Sequence, residues 1–294
     1  MLKTNLWTAI ITPFDVSGKI DFKSFERLLR RQEQNQNGVV LLGSTGEGMA
    51  LTRSEKESVV NFAASLHLKV PCIAGVPGHG LEEVLDWVHF AKSSGIQGFL
   101  AVSPYYSKPG VKGQTEWFRK ILDAASLPVM LYNVPSRTGS RLSPQVLVDL
   151  QHHSNLWALK ESSGSVDSFL EYQRSNPKIA LFCGDDGLMP EFAKVGAVGL
   201  VSVASNVWPE ATRKVVEYSL AIKASAFADL WRECTDTLFL ASNPIPTKWL
   251  HHHLGEIPTT LLRPPLDSAD LTDPSRVERA HQKIKNWLKE RGTL

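Results

Sequence analysis

Lys160, Tyr132, Ser44, Thr45 and Arg137 are the side chains in this sequence whose chemistry suits carbonyl compounds. Lys160 closes the apolar run Leu156-Trp157-Ala158-Leu159 and is followed at once by Glu161-Ser162-Ser163-Gly164. A short apolar run ended by turn residues reads as a buried parallel strand. The stem of a lysine at its end lies in packed surroundings, with the amine above the sheet. Burial disfavours an ammonium, and the neutral amine is a nucleophile toward carbonyl carbon. A snorkelling lysine that covers apolar surface with its stem is the alternative, and on this stretch alone it is the commoner one.

The remaining candidates extend the same chemistry. A lysine amine that attacks a ketone and loses water becomes a protonated imine, an electron sink. The Tyr132 hydroxyl, linked to further hydroxyls, is suited to moving the protons of each step. Backbone N–H groups beside Ser44 and Thr45, between Gly43 and Gly46, offer a place for a small carboxylate. Arg137 can clamp a second carboxylate with both arms of its guanidinium. Each has an ordinary reading too: a barrel-end tyrosine, turn residues, a solvated arginine. Asp185 and Asp186 read equally well as helix caps. The functional reading gains from all of them falling at one end of the predicted strands.

Those strands alternate with helices from the start. Apolar runs at Leu6–Ile11, Val39–Leu42, Cys72–Ala74, Gly98–Val102, Val129–Tyr132, Leu156–Leu159, Ile179–Phe182 and Val198–Val201 predict eight strands. Between them Asp21, the Thr52-x-x-Glu55 capping box and Ser143-Pro144 open helices with 3.6-residue apolar spacing. This count predicts an α/β fold, a (β/α)8 TIM barrel, whose active site gathers at the C-terminal ends of the strands. The barrel is expected over residues 1–222. Residues 223–294 read as helices only, Ala224 to Leu240, Pro246 to Leu254 and Pro274 to Arg291, a C-terminal helical domain. A doubly wound sheet competes, but no GxGxxG or phosphate-cradling loop is present.

Bulk properties exclude several classes. The 294 residues carry a net charge of +2 and no basic run, which gives no footprint for nucleic acid. No apolar run approaches the length of a membrane span, and the N-terminus lacks a long apolar leader segment, so a soluble, cytoplasmic protein is expected. Cys72, Cys183 and Cys234 are widely spaced and form no CxxC pair; reduced, buried thiols are expected. His251-His252-His253 are consecutive on a helix and point in different directions, so a solvated face is expected rather than a metal site. No ligand cluster for a metal and no cofactor motif is found.

Gly43-Ser44-Thr45-Gly46-Glu47, Tyr132-Asn133-Val134-Pro135-Ser136-Arg137-Thr138-Gly139 and Lys160-Glu161 resemble the dihydrodipicolinate synthase/N-acetylneuraminate lyase family. The likeness runs from Thr12-Pro13-Phe14 to Asn243-Pro244-Ile245-Pro246. YNVPSRTG is the form typical of the synthase branch, and neuraminate lyases generally lack its arginine. The resemblance implies that Lys160 forms a Schiff base with pyruvate and that Tyr132 gives and takes protons. It implies coupling of Tyr132 to Ser44 and to Tyr106, the latter reaching into a neighbouring subunit's site. Thr45, with the backbone at Gly184 and Val201, would hold pyruvate, and Arg137 the carboxylate of L-aspartate 4-semialdehyde. The implied reaction is aldol addition followed by cyclisation, toward diaminopimelate and lysine, in a homotetramer of two tight dimers.

The sequence departs from the family at two places. Many synthases have threonine where Ser44 stands, so a methyl that restricts the rotamer is gone. Glu83 and Tyr105 match a possible regulatory lysine site, whereas Gly48, Arg53, Lys56 and His79 do not match its best-known form. Arg53 and Lys56 are expected to repel a cationic inhibitor. The rival readings are another pyruvate-dependent lyase, acting on neuraminate or a 2-keto-3-deoxy sugar acid, and a non-catalytic binding barrel.

Overall fold

A computed structural model describes residues 2–221 and 227–291. Its eight strands are β1 (Leu6–Ala9), β2 (Gly38–Leu41), β3 (Cys72–Val76), β4 (Gly98–Val102), β5 (Val129–Asn133), β6 (Leu156–Glu161), β7 (Ala180–Cys183) and β8 (Gly199–Ser202). They close into a barrel in sequence order, with β8 parallel to β1. Helices α1 (Phe22–Gln34), α2 (Arg53–Ser65), α3 (Leu81–Ser93), α4 (Val111–Ala125), α5 (Pro135–Thr138), α6 (Pro144–Asp149), α7 (Val166–Ser175), α8 (Met189–Lys194) and α9 (Pro209–Leu220) surround it. The C-terminal helices are α10 (Ala228–Asp236), α11 (Ile245–His253) and α12 (Ser275–Arg291). The (β/α)8 architecture expected from the strand–helix alternation is the one found.

Nearly every strand residue is buried, because one face of each strand fills the barrel and the other meets the helices. Trp7, Val40, Ile73, Leu100, Met130, Trp157, Phe182 and Val201 pack together inside. Gly38 has no side chain because one would press on Trp7: a Cβ there would lie 2.7 Å from the indole. Trp157 stands edge-on between Trp7 and Phe182, with ring centroids 5.6 and 5.8 Å away. The starts of α1 and α2 follow their caps, whereas Ser143 before α6 makes no side-chain cap bond. Asp21 accepts the N–H groups of Lys23 and Ser24, and Thr52 and Glu55 form the reciprocal capping box.

Four expectations need correction. β6 runs on through Lys160 and Glu161, since both still pair with β5 and β7. Arg137 stands on the one-turn helix α5 rather than on a solvated loop; Pro135 opens it and Gly139, at φ +71, ends it. His251 lies buried with Nδ1 2.6 Å from Glu256 Oε2, so only His252 and His253 form a solvated face. Asp186 is no helix cap: it is buried and receives Ser202 Oγ–H and the N–H groups of Val203 and Ala204. The three cysteines are free and buried. The boundary expected between residues 222 and 223, and the expected helix start at Ala224, lie outside the described residues.

The C-terminal helices share one apolar cluster with α9, through Trp208, Val215, Phe227, Trp231 and Trp287 among others. Trp231 also donates its indole N–H to the Asp186 carbonyl, 2.8 Å away. Asp186 thus ties β7, β8 and α10 together. Asp186→Ala leaves two N–H groups and a hydroxyl buried without an acceptor. A loss of about 3–5 kcal/mol in urea-unfolding free energy is expected, and a smaller loss for Asp186→Asn.

Candidate active site

Lys160 and Tyr132 are register partners on adjacent strands. Because they sit side by side, the lysine Nζ lies 4.4 Å from the centroid of the tyrosine ring. Both are almost wholly buried, at 5% and 8% exposure. The pairing depends on a register shift at the start of the strands: Val129 pairs with Leu156 but Met130 with Ala158. Trp157 is the residue skipped, and without the skip Tyr132 would face Leu159. Next to Lys160, Gly184 leaves no room for a side chain, since a Cβ there would lie 2.7 Å from Lys160 Cε. Its N–H bonds the Glu161 carbonyl at 2.7 Å.

Glu161 carries a fully buried carboxyl, held by Asn133 Nδ2 at 2.6 Å and by the Ser163 N–H at 3.0 Å. Burial pushes its pKa up, and these bonds oppose the rise. Asn133 in turn accepts the Leu142 N–H. The far end of β6 is therefore braced to β5 and to the chain after α5. Asp185 has a carboxyl pushed up to about 6 by burial, with the Lys160 charge opposing, and its Oδ2 has no hydrogen-bond partner.

The loop after β2 packs against backbone on both sides. A Cβ on Gly46 would meet the Ile10 carbonyl at 2.9 Å, and one on Gly48 would meet the Leu42 carbonyl at 2.2 Å. Thr12 Oγ1 donates to the Gly46 carbonyl, and Thr45 Oγ1 accepts from Asn243 Nδ2, both at 2.8 Å. Among the described residues, the N–H groups of Ser44 and Thr45 donate to no protein acceptor. Two neighbouring free donors at a strand end are suited to a carboxylate.

A cavity of about 330 Å3 opens here, lined by Ser44, Tyr132, Tyr105 and Arg137 and otherwise mainly by apolar side chains such as Leu42, Val76, Leu100 and Val134. Arg137 projects from α5 and also borders a smaller hollow of about 170 Å3 with Ser44, Asn243 and Arg263. Lys160 adjoins the larger cavity through the Tyr132 ring. Thr45 is buried behind the loop, and Val201 belongs to the barrel interior. Ser44 and Tyr132 share the cavity without a hydrogen bond between their hydroxyls.

Tyr106 lies apart. It is 92% exposed at φ +68, and it is absent from the cavity wall of its own chain. Glu83 is exposed on α3, and Tyr105 lies within 3.2 Å of His79 Nδ1. Arg53, expected to present a bare charge, is paired with Glu57 at 2.5 Å and stacked on Trp87 and Phe90. Lys56 lies over Trp87, and burial lowers its pKa against the pull of Glu83. Among the described residues no group of three or more His, Cys, Asp or Glu side chains is placed to hold a metal. Among those residues, too, no helix is long and apolar enough to cross a membrane.

Sequence reasoning overlooked the hold that Asn243 and Lys248 have on the β2 loop from the C-terminal side, through Thr45 and Glu47. The Asn243-Pro244-Ile245-Pro246 segment marked the place, but nothing in its spacing points to a loop some two hundred residues earlier.

Known proteins match the chain over nearly its whole length. The model of the dihydrodipicolinate synthetase family matches residues 2–284. The 4-hydroxy-tetrahydrodipicolinate synthase of Wolbachia pipientis subsp. Culex pipiens (strain wPip) is 46% identical over 98% of each chain. The structure of the 4-hydroxy-tetrahydrodipicolinate synthase from Methylacidiphilum fumariolicum SolV superposes with a TM-score of 0.91 at 32% identity, covering 98% of both chains. The chloride-inhibited dihydrodipicolinate synthase from Acinetobacter baumannii, complexed with pyruvate, gives 0.86 at 31% identity over 99% of both chains. With its barrel, its paired lysine and tyrosine and its full-length relatives, the chain belongs to the dihydrodipicolinate synthetase family.

Proposed function

We propose that the chain catalyses the 4-hydroxy-tetrahydrodipicolinate synthase reaction, condensing pyruvate with L-aspartate 4-semialdehyde on the route to diaminopimelate and lysine. The observation that carries this is the buried Lys160 amine set against Tyr132 at the edge of a cavity that also holds Arg137. Lys160, once it has given up a proton, attacks the pyruvate ketone, and loss of water leaves the protonated imine. Removal of a methyl proton gives an enamine, whose carbon adds to the aldehyde of the semialdehyde. The amine of the semialdehyde portion then attacks the imine carbon, which closes the ring and releases Lys160.

Tyr132 is the group assigned to shuttle protons, with Ser44 as its neighbour in the cavity wall. The N–H groups of Ser44 and Thr45, with the backbone at Gly184 and Val201, are assigned to pyruvate. Arg137 is assigned to the carboxylate of the semialdehyde. The exposed Tyr106 suits contact with a second subunit in a homotetramer, a dimer of dimers, in the cytoplasm. No metal or cofactor takes part in these steps.

Borohydride added with pyruvate is expected to fix an adduct on Lys160, located by peptide mass mapping; an adduct elsewhere, or none, overturns the reading. Arg137→Ala is expected to form that adduct normally while the KM for the semialdehyde rises about tenfold to a hundredfold. Loss of the adduct would show that Arg137 had been misassigned. At the Glu83–Tyr105 position, His79 already engages the Tyr105 hydroxyl and the Lys56 charge already acts on Glu83, so submillimolar lysine is expected to leave the steady-state rate unchanged.

A further inference from the structure

Lys248 and Glu47 form the most deeply buried ion pair among the described residues. Nζ and Oε1 are 2.5 Å apart, and the side chains are 0% and 1% exposed. The ammonium also donates to the Leu261 carbonyl at 2.8 Å and sits 4.0 Å from the centre of the Phe14 ring. The second Glu47 oxygen accepts the Arg263 N–H at 2.6 Å. Burial draws the Lys248 amine down to about 8, with Glu47 opposing. The reaction as derived uses neither of these two buried charges.

Their role lies in what Glu47 holds. Its backbone is left-handed, at φ +54, a conformation a non-glycine residue keeps only where its surroundings enforce it. From that position the Glu47 N–H bonds the Ser44 carbonyl, and the Gly48 N–H bonds the Gly43 carbonyl, both at 3.2 Å. A trans peptide fixes its N–H opposite its carbonyl. The Ser44 carbonyl therefore sets the direction of the Thr45 N–H, and the Gly43 carbonyl that of the Ser44 N–H. These are the two donors left without a protein partner.

We infer that Lys248 and Glu47 are positioning residues for pyruvate: their ion pair locks the turn that aims the Ser44 and Thr45 N–H groups at the pyruvate carboxylate. This rests on the function proposed above. The C-terminal segment thereby sets pyruvate affinity without touching the substrate, through Lys248 on the carboxylate and Asn243 on the Thr45 hydroxyl. The chemistry at Lys160 does not depend on it, so the effect falls on pyruvate binding and leaves turnover at saturation intact.

Lys248→Met, Glu47→Gln and the double variant E47Q/K248M separate this role from a structural one. Each single variant strands one buried group, whereas the double variant leaves no lone charge and is expected to melt above both. In all three the pyruvate KM is expected to rise about tenfold to a hundredfold, with kcat and the semialdehyde KM within about twofold of the parent. A pyruvate KM at the parent value in any folded variant, or a kcat that falls while KM holds, overturns the inference. Should the single variants not fold, the double variant decides. Borohydride trapping on the parent chain keeps the two readings apart. Failure to trap pyruvate on Lys160 defeats the proposed reaction; trapping with an unmoved pyruvate KM in the variants defeats the positioning role alone.

Discussion

The site depends on which residue of β6 lies beside Tyr132. In strands buried on both faces, side chains alternate between the barrel interior and the helix layer, so a slip of one residue exchanges the two sets. Regular pairing from Val129 and Leu156 onward would put Leu159 beside Tyr132. The shift that skips Trp157 puts Lys160 there instead. Irregularities of this kind recur next to active sites because they re-aim a side chain without disturbing the rest of the sheet. Here the skipped residue is itself anchored, its indole wedged edge-on against Trp7 and Phe182. A packing contact inside the barrel thus fixes which residue meets the tyrosine near the mouth.

A second constraint is the number of carboxyls buried around that mouth. Glu161, Asp186 and Glu47 are each nearly inaccessible, and an unpaired buried charge costs several kcal/mol. Each is met in a different way. Glu161 is met by an amide and a backbone N–H, Asp186 by two backbone N–H groups and a hydroxyl, Glu47 by an ammonium and a backbone N–H. The donors for Glu47 come from α11 and the chain after it, and Trp231 of α10 fastens the Asp186 backbone. The C-terminal helices are therefore part of how the strand ends are held, beyond the apolar cluster they share with α9.

This explains what the sequence made legible. Apolar runs and caps depend on neighbours within a few residues, so the eight strands, the Asp21 cap and the Thr52–Glu55 box could be read directly. That Lys160, Tyr132, Ser44 and Arg137 lie toward one end of the barrel follows from strand ends converging there whatever their separation in sequence. The register shift at Trp157 was not readable, since it concerns pairing between two strands. Nor was the burial of His251, which looks like its two neighbours until Glu256 folds back onto it. Asp186 looked like a cap because an aspartate before a helix usually is one, and only β8 packing beside β7 turns it inward. Lys248 and Glu47 are about two hundred residues apart, and no local pattern links them.

The composition of the cavity wall bears on how few polar groups the site needs. Leu42, Val76, Pro77, Leu100, Val102 and Val134 make most of the surface around Ser44, Tyr132 and Arg137. Such walls keep the effective dielectric low, so a guanidinium and two fixed N–H dipoles act more strongly than they would in water. They gain further because their directions are set in advance, by α5 for Arg137 and by the Gly43–Gly48 turn for the N–H groups. In the proposed reaction these groups select substrates by the spacing of two carboxylates about a carbonyl carbon. A polyhydroxylated sugar chain would lay hydroxyls against apolar walls that offer few partners, at a cost of about 1–3 kcal/mol for each one left unsatisfied. The same wall that strengthens the charged contacts therefore disfavours the sugar-acid substrates of related lyases.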